Sequence, residues 1–114
     1  MATINAFKMD GLGNDFIIID RRENYINLTK EKIIELSGRS NIGFDQIIFI
    51  EKERENSFPI IIFNSDGGEV SACGNGSRCV AYLLRKNLDT KEIKLRTSNR
   101  ILNAKIIGNL DVEI

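Results

Sequence analysis

Apolar residues in the chain fall into short runs divided by polar, Gly- and Asn-rich punctuation. Residues 16–20 (FIIID) are too few and too β-branched for a helix and read as a buried strand, with the preceding DGLGND as its loop. Thr29 is placed to cap a helix over Lys30–Ser37. Ile33, Ile34 and Leu36 give that helix an apolar side, Glu31 lies in its first turn and Gly38 is its stop. Residues 46–53 and 58–64 read as the two strands of a hairpin turning around Arg54, Glu55 and Asn56. Pro59 falls near the start of the second strand, where its missing N–H does least harm. Residues 92–97, 101–107 and 110–114 predict a meander broken at Ser98-Asn99-Arg100 and Gly108-Asn109. Ile93 and Leu95, then Leu110, Val112 and Ile114, alternate as half-buried antiparallel strands do.

Between hairpin and meander, residues 79–84 (CVAYLL) are apolar all round, which a helix tolerates only when it is surrounded. The predicted fold class is therefore α+β: a curved, mostly antiparallel sheet wrapped around one central helix, whose N-terminus is its only polar end. No repeat, low-complexity tract or linker divides the chain, so residues 1–114 read as one domain. The last strand stops in mid-alternation, which reads as a chain cut short.

Composition narrows the functional classes. Sixteen basic and sixteen acidic residues cancel, and no basic stripe could track phosphates, so nucleic acid is not an expected partner. No segment approaches the ~20 apolar residues that span a bilayer, and no signal-peptide pattern opens the chain. A cytoplasmic protein without a membrane partner is expected. With no histidine and two cysteines, no metal site is expected. If Cys73 and Cys79 share a helix, their Cα atoms lie ~9 Å apart, beyond the ~7 Å a disulfide tolerates. Free thiols follow.

The chemistry concentrates in EVSACGNGSRC, residues 69–79. The first N–H groups of a helix lack intrahelical partners, and the aligned peptide dipoles place about half a positive charge there. Gly74 and Gly76 remove the Cβ atoms that would block a close approach, so this end can offer amides to a carboxylate or a thiolate. The same field lowers a cysteine's pKa, which makes Cys73 a candidate base or nucleophile. Cys79, inside the apolar segment, reads as core packing. Gly11-Leu12-Gly13 precedes a strand and lacks a third glycine, so it is not a dinucleotide fingerprint. Phe63-Asn64-Ser65-Asp66-Gly67-Gly68 reads on its own as an Asx turn. Three polar loops, around Asn14, Gln46 and Asn64, lie at strand ends able to surround the helix mouth. Neutral amides there suit a small zwitterionic ligand.

KMDGLGNDF (residues 8–16), NIGFDQ (41–46) and FNSDGGEVSACGNGSRC (63–79), in that order and spacing, resemble the N-terminal half of diaminopimelate epimerases. Asp10 stands where that family more often has histidine, and Gly68 where serine is common. The resemblance implies a fold of two similar lobes, each a sheet wrapped around a helix, with the substrate between them. It implies interconversion of LL- and meso-diaminopimelate, on the route to lysine and peptidoglycan, with no pyridoxal phosphate, no other cofactor and no metal. It makes Cys73 one catalytic thiol, assigns Gly74 and Asn75 backbone contacts to the substrate's α-carboxylate, and makes Asn14, Gln46 and Asn64 substrate contacts. The second thiol belongs to a C-terminal lobe with no counterpart among these residues, so the chain alone is expected to be inactive and prone to self-association where that lobe would dock. The alternatives are another amino-acid racemase or epimerase of the same fold, a non-catalytic amino-acid-binding lobe and a thiol redox protein, the last lacking a C-x-x-C pair.

Overall fold

A computed structural model of the chain describes residues 5–11, 13–23, 26–38, 43–70, 74–85, 92–97, 101–106 and 112–113. The elements are β1 (Asn5–Gly11), β2 (Asn14–Asp20), α1 (Lys30–Ser37), β3 (Gln46–Ile50), β4 (Phe58–Asn64), β5 (Glu69–Val70), α2 (Gly74–Arg85), β6 (Glu92–Arg96), β7 (Ile101–Ile106) and β8 (Val112–Glu113). The strands form a sheet in the order β1-β2-β3-β4-β6-β7-β8, with β5 also on β4. Since β3 takes one edge of β4, β5 and β6 share the other, β5 pairing at Ile62 and Phe63 and β6 at Phe58 and Pro59.

Most neighbours are antiparallel, but β2–β3 and β4–β6 are parallel, and each parallel joint needs a crossover. The chain supplies α1 for the first and α2 for the second. Both steps move the same way across the sheet, yet β4 runs opposite to β3. Right-handed crossovers then require the two helices on opposite faces, and the cores agree. On one face Phe16, Ile18, Ile48, Ile50, Ile60 and Ile62 pack with Cys79, Val80, Leu83 and Leu84 of α2. On the other, Ile17, Ile19, Ile47 and Phe49 pack with Ile33 of α1 and Phe44. The uninterrupted apolar run of β2 has this cause, because a strand covered on both faces has no polar side to show.

The α+β class and the wrapped helix hold: α2 packs against β1, β2 and β3 from one half of the sheet and β6, β7 and β8 from the other. Expecting strands around a single helix left α1 without a place, and it covers the outer face. Residues 10–15 are not simply a loop. Asp10 pairs with Asp15 and Gly11 with Asn14, so the β1–β2 ladder runs on through most of the expected loop, and Gly13 beside it stands at φ 89°. Helix α1 has the expected bounds, Thr29 Oγ1 accepting the Lys32 N–H at 3.1 Å. Gly38 ends it with φ −64°, so no left-handed cap is used. Strand β3 stops at Ile50, three residues earlier than expected. Beyond it, Arg54 and Ser57 exchange backbone hydrogen bonds of 2.8 and 2.9 Å around Glu55 and Asn56, both at positive φ, the geometry of a type I′ turn. The expected breaks at 98–100 and 108–109 lie outside the described residues, as do 110, 111 and 114 of the last strand.

Ser77, in the first turns of α2, is fully buried and its hydroxyl has no hydrogen-bond partner among the described residues. Its helical neighbours one turn on, Val80 and Ala81, are equally buried. Removing an unpaired buried hydroxyl ends a desolvation cost, and alanine is the better helix former, so Ser77→Ala should stabilise the fold by about 1 kcal/mol. Denaturant unfolding with an unchanged m-value reads this out; a lower midpoint would mean that the hydroxyl has an unseen partner.

Candidate functional site

Strand parity decides what stands at the ends of β2, β3 and β4. Successive side chains alternate between faces. Asn14 therefore shares a face with Phe16 and Ile18, Gln46 with Ile48 and Ile50, and Asn64 with Ile62 and Ile60, all on the α2 side. The registers Phe16↔Gln46 and Gln46↔Asn64 bring the three to one end of the sheet. Three rows of hydrocarbon thus each end in a half-buried primary amide. Gln46 Nε2 donates to Asn64 Oδ1 at 2.9 Å.

The helix opens toward the same end. A crossover must return the chain from the end of β4, at Asn64, to the start of β6, so α2 runs back from the Asn64 end, with Gly74 and Asn75 as its first residues. Their position in the first turn leaves backbone N–H groups without intrahelical acceptors. Cys73 lies outside the described residues. Cys79 is buried, in no disulfide, and packed among Val80, Leu83 and the sheet, as the apolar segment implied.

The loops behind the amides are tied together. Asn64 N–H donates to Gly68 O at 2.8 Å and Gly67 N–H to Asn64 O at 2.9 Å, while Asp66 Oδ1 accepts the Gly68 N–H at 2.7 Å. This is the Asx turn read from FNSDGG, and Gly67 at φ 84°, with the Lys30 side chain against its α-carbon, is where glycine is needed. Asp45 was not singled out in the sequence. It bonds to both neighbouring loops, through the Asp15 N–H, the Asp15 carbonyl and the Ser65 N–H. Its one legible signal is an Asx residue at the entry of an apolar strand.

A cavity of about 630 Å³ opens at the opposite end of these strands, lined by Arg21, Glu51, Lys52, Arg54, Pro59 and Ile61 among others. Its buried Arg21 guanidinium is engaged by Glu51 and the Ile26 carbonyl, so that charge is already paired. The three half-buried side-chain amides and the opening of α2 lie at the other end, that of Asn14, Gln46 and Asn64. Among the described residues no helix is long and apolar enough to cross a membrane.

Comparison with known proteins gives a consistent result. The chain is 54% identical to a diaminopimelate epimerase of Pelagibacter ubique over 110 residues, covering 96% of this chain and 40% of that protein. It is 42% identical to diaminopimelate epimerase of Coxiella burnetii over 108 residues, covering 90% of this chain and 39% of the relative. The chain thus spans about 40% of the length of these curated relatives. Among solved structures, a PhzF-family phenazine biosynthesis protein of Bacillus anthracis superposes with a TM-score of 0.70 at 23% identity over 98% of this chain and 39% of its own. A PhzF-family protein of Enterococcus faecalis gives 0.68 at 13% identity over 90% of this chain and 40% of its own. These two likenesses establish the fold. The family model for diaminopimelate epimerase matches residues 6–111, and on that match this chain belongs to the diaminopimelate epimerase family.

Proposed function

We propose that this chain is the N-terminal lobe of a cofactor-independent, cytoplasmic diaminopimelate epimerase, interconverting the LL and meso isomers for lysine and peptidoglycan synthesis. The observation that carries this reading is the row of amides at Asn14, Gln46 and Asn64 on the α2 side of one sheet end. Amides offer both donors and acceptors to a zwitterion. In this reading Gly74 and Asn75 direct backbone N–H groups at the α-carboxylate, where charge builds as the α-proton leaves.

Inversion needs two groups. A thiolate on one face of the α-carbon takes its proton, leaving the electron pair on carbon, delocalised toward the carboxylate. A thiol on the other face returns a proton to that carbon, and the two sulfurs exchange roles with substrate handedness. Cys73 is one of them. The other is assigned to a second lobe, in line with the 40% of the relative's length that this chain spans. No described residue of this chain replaces it, since Cys79 is sealed in the core. These residues alone should therefore show no LL/meso interconversion, and turnover by the 114-residue chain at a rate near that of the whole enzyme would refute the one-lobe reading.

The narrower name is tested with the whole enzyme and two substrates, LL-diaminopimelate and an analogue lacking the distal amino-acid centre. Losing that centre should lower kcat/KM at least ~100-fold, because a site built to hydrogen-bond a polar group is left with buried unpaired partners. Equal rates would identify a broader amino-acid racemase of the same fold.

A further inference from the structure

Each of the three amides has as its immediate neighbour a member of a single hydrogen-bonded clasp. Asp15 follows Asn14, Asp45 precedes Gln46 and Ser65 follows Asn64. Asp45 Oδ2 accepts the Asp15 N–H at 2.8 Å. The Asp45 N–H donates to the Asp15 carbonyl at 2.9 Å, and the Asp45 carbonyl accepts the Ser65 N–H at 3.1 Å. Asp45 therefore bonds through three of its own atoms to the two loops on either side of it.

A side-chain carboxylate is needed there for a geometric reason. The parallel ladder of β2 and β3 begins at Phe16↔Gln46. One residue earlier the Asp15 N–H still points across, and among the described residues none before Asp45 is paired with β2. The carboxylate of Asp45 reaches back and supplies an acceptor, so the ladder gains a rung at its open end, where the amides begin. The Ser37 hydroxyl, whose shorter bond goes to the Ile34 carbonyl within α1 at 2.7 Å, lies 3.2 Å from the Ser65 carbonyl.

We propose that Asp45 is a positioning residue for the substrate: it touches no reacting atom, and it fixes the spacing of Asn14, Gln46 and Asn64 by locking the three loops that carry them. The proposal rests on reading those three residues as substrate contacts. Displacing contact groups by an ångström can cost as much as ~100-fold in rate, which sets the scale of the effect.

The test compares Asp45→Ala with Asp45→Asn, whose Oδ1 still accepts the Asp15 N–H, and with Thr29→Ala, which weakens α1 at its cap and touches none of the clasp. In the whole enzyme Asp45→Ala should raise the KM for diaminopimelate about tenfold, with Asp45→Asn within about threefold of wild type and Thr29→Ala unchanged. In ¹H–¹⁵N spectra the side-chain amide signals of Gln46 and Asn64 should shift in Asp45→Ala alone. If Asp45→Ala leaves KM and those signals unmoved while Gln46→Ala and Asn64→Ala raise KM, the clasp has no positioning role and the proposal is overturned. If Gln46→Ala and Asn64→Ala also leave KM unmoved, the site reading itself has failed, and the proposal with it.

Discussion

Cys73→Ala in the whole enzyme should lower epimerisation in both directions by about 10²–10⁴-fold, the usual worth of a positioned acid–base group. Both directions suffer because the residue is base for one isomer and acid for the other, and the principle of microscopic reversibility ties the two roles together. Binding should survive. The α-carboxylate is assigned to the N–H groups that open α2 and the rest of the ligand to Asn14, Gln46 and Asn64, none of which needs the sulfur. Calorimetric titration with diaminopimelate should give a dissociation constant within a fewfold of wild type, so the loss appears in kcat. If instead Cys73→Ala turns over normally, sulfur is not the base. If it binds normally and the unsubstituted enzyme also never turns over, the chain is an amino-acid-binding module.

Local features of the fold were legible where one residue type settles the backbone. Thr29 with its capped Lys32 N–H marked the start of α1, and strand Phe58–Asn64 is a run of six apolar residues that ends in Asn64. Strand β1 was missed because it lies at the edge of the sheet with Ala6, Phe7 and Lys8 all exposed, so no burial periodicity marks it. The parallel joints were missed because pairing direction depends on where α1 and α2 pass, which no local pattern records. The site divides in the same way. Amides at the ends of three apolar runs can be listed from the chain, and their convergence could be guessed. That Gln46 and Asn64 are cross-strand partners bonded to each other depends on the β3–β4 register. That Asp45 joins three loops depends on a contact across thirty positions in sequence, beyond the reach of any window. The position of Cys73 was inferred from glycine spacing and helix physics, and it lies outside the described residues.

The largest stability loss is expected far from the amides, at Arg21. This residue follows β2 on the α1 side, and its side chain is 6% exposed. Its Nη1 donates to the Ile26 carbonyl at 2.8 Å, its Nη2 pairs with Glu51, and its guanidinium carbon lies 4.3 Å from the centre of the Phe49 ring. One planar cation thus closes the end of the outer core and joins β2, β3 and the segment leading to α1. Arg21→Ala strands the partly buried Glu51 carboxylate and the Ile26 carbonyl and opens the end of the apolar cluster, for a loss of about 3 kcal/mol or more. That is a large share of the ~5–15 kcal/mol by which domains of this size are stable. The magnitude alone would not separate electrostatics from packing, but a pair of variants does. Replacing both partners with apolar residues, Arg21→Met with Glu51→Leu, leaves no orphaned charge, and such exchanges are often neutral or stabilising. The double variant should therefore recover most of what Arg21→Met alone loses in denaturant unfolding. If the double variant is as unstable as the single one, the Glu51 carboxylate was never dependent on Arg21, and the cost lies in the contacts with Phe49 and Ile26 instead.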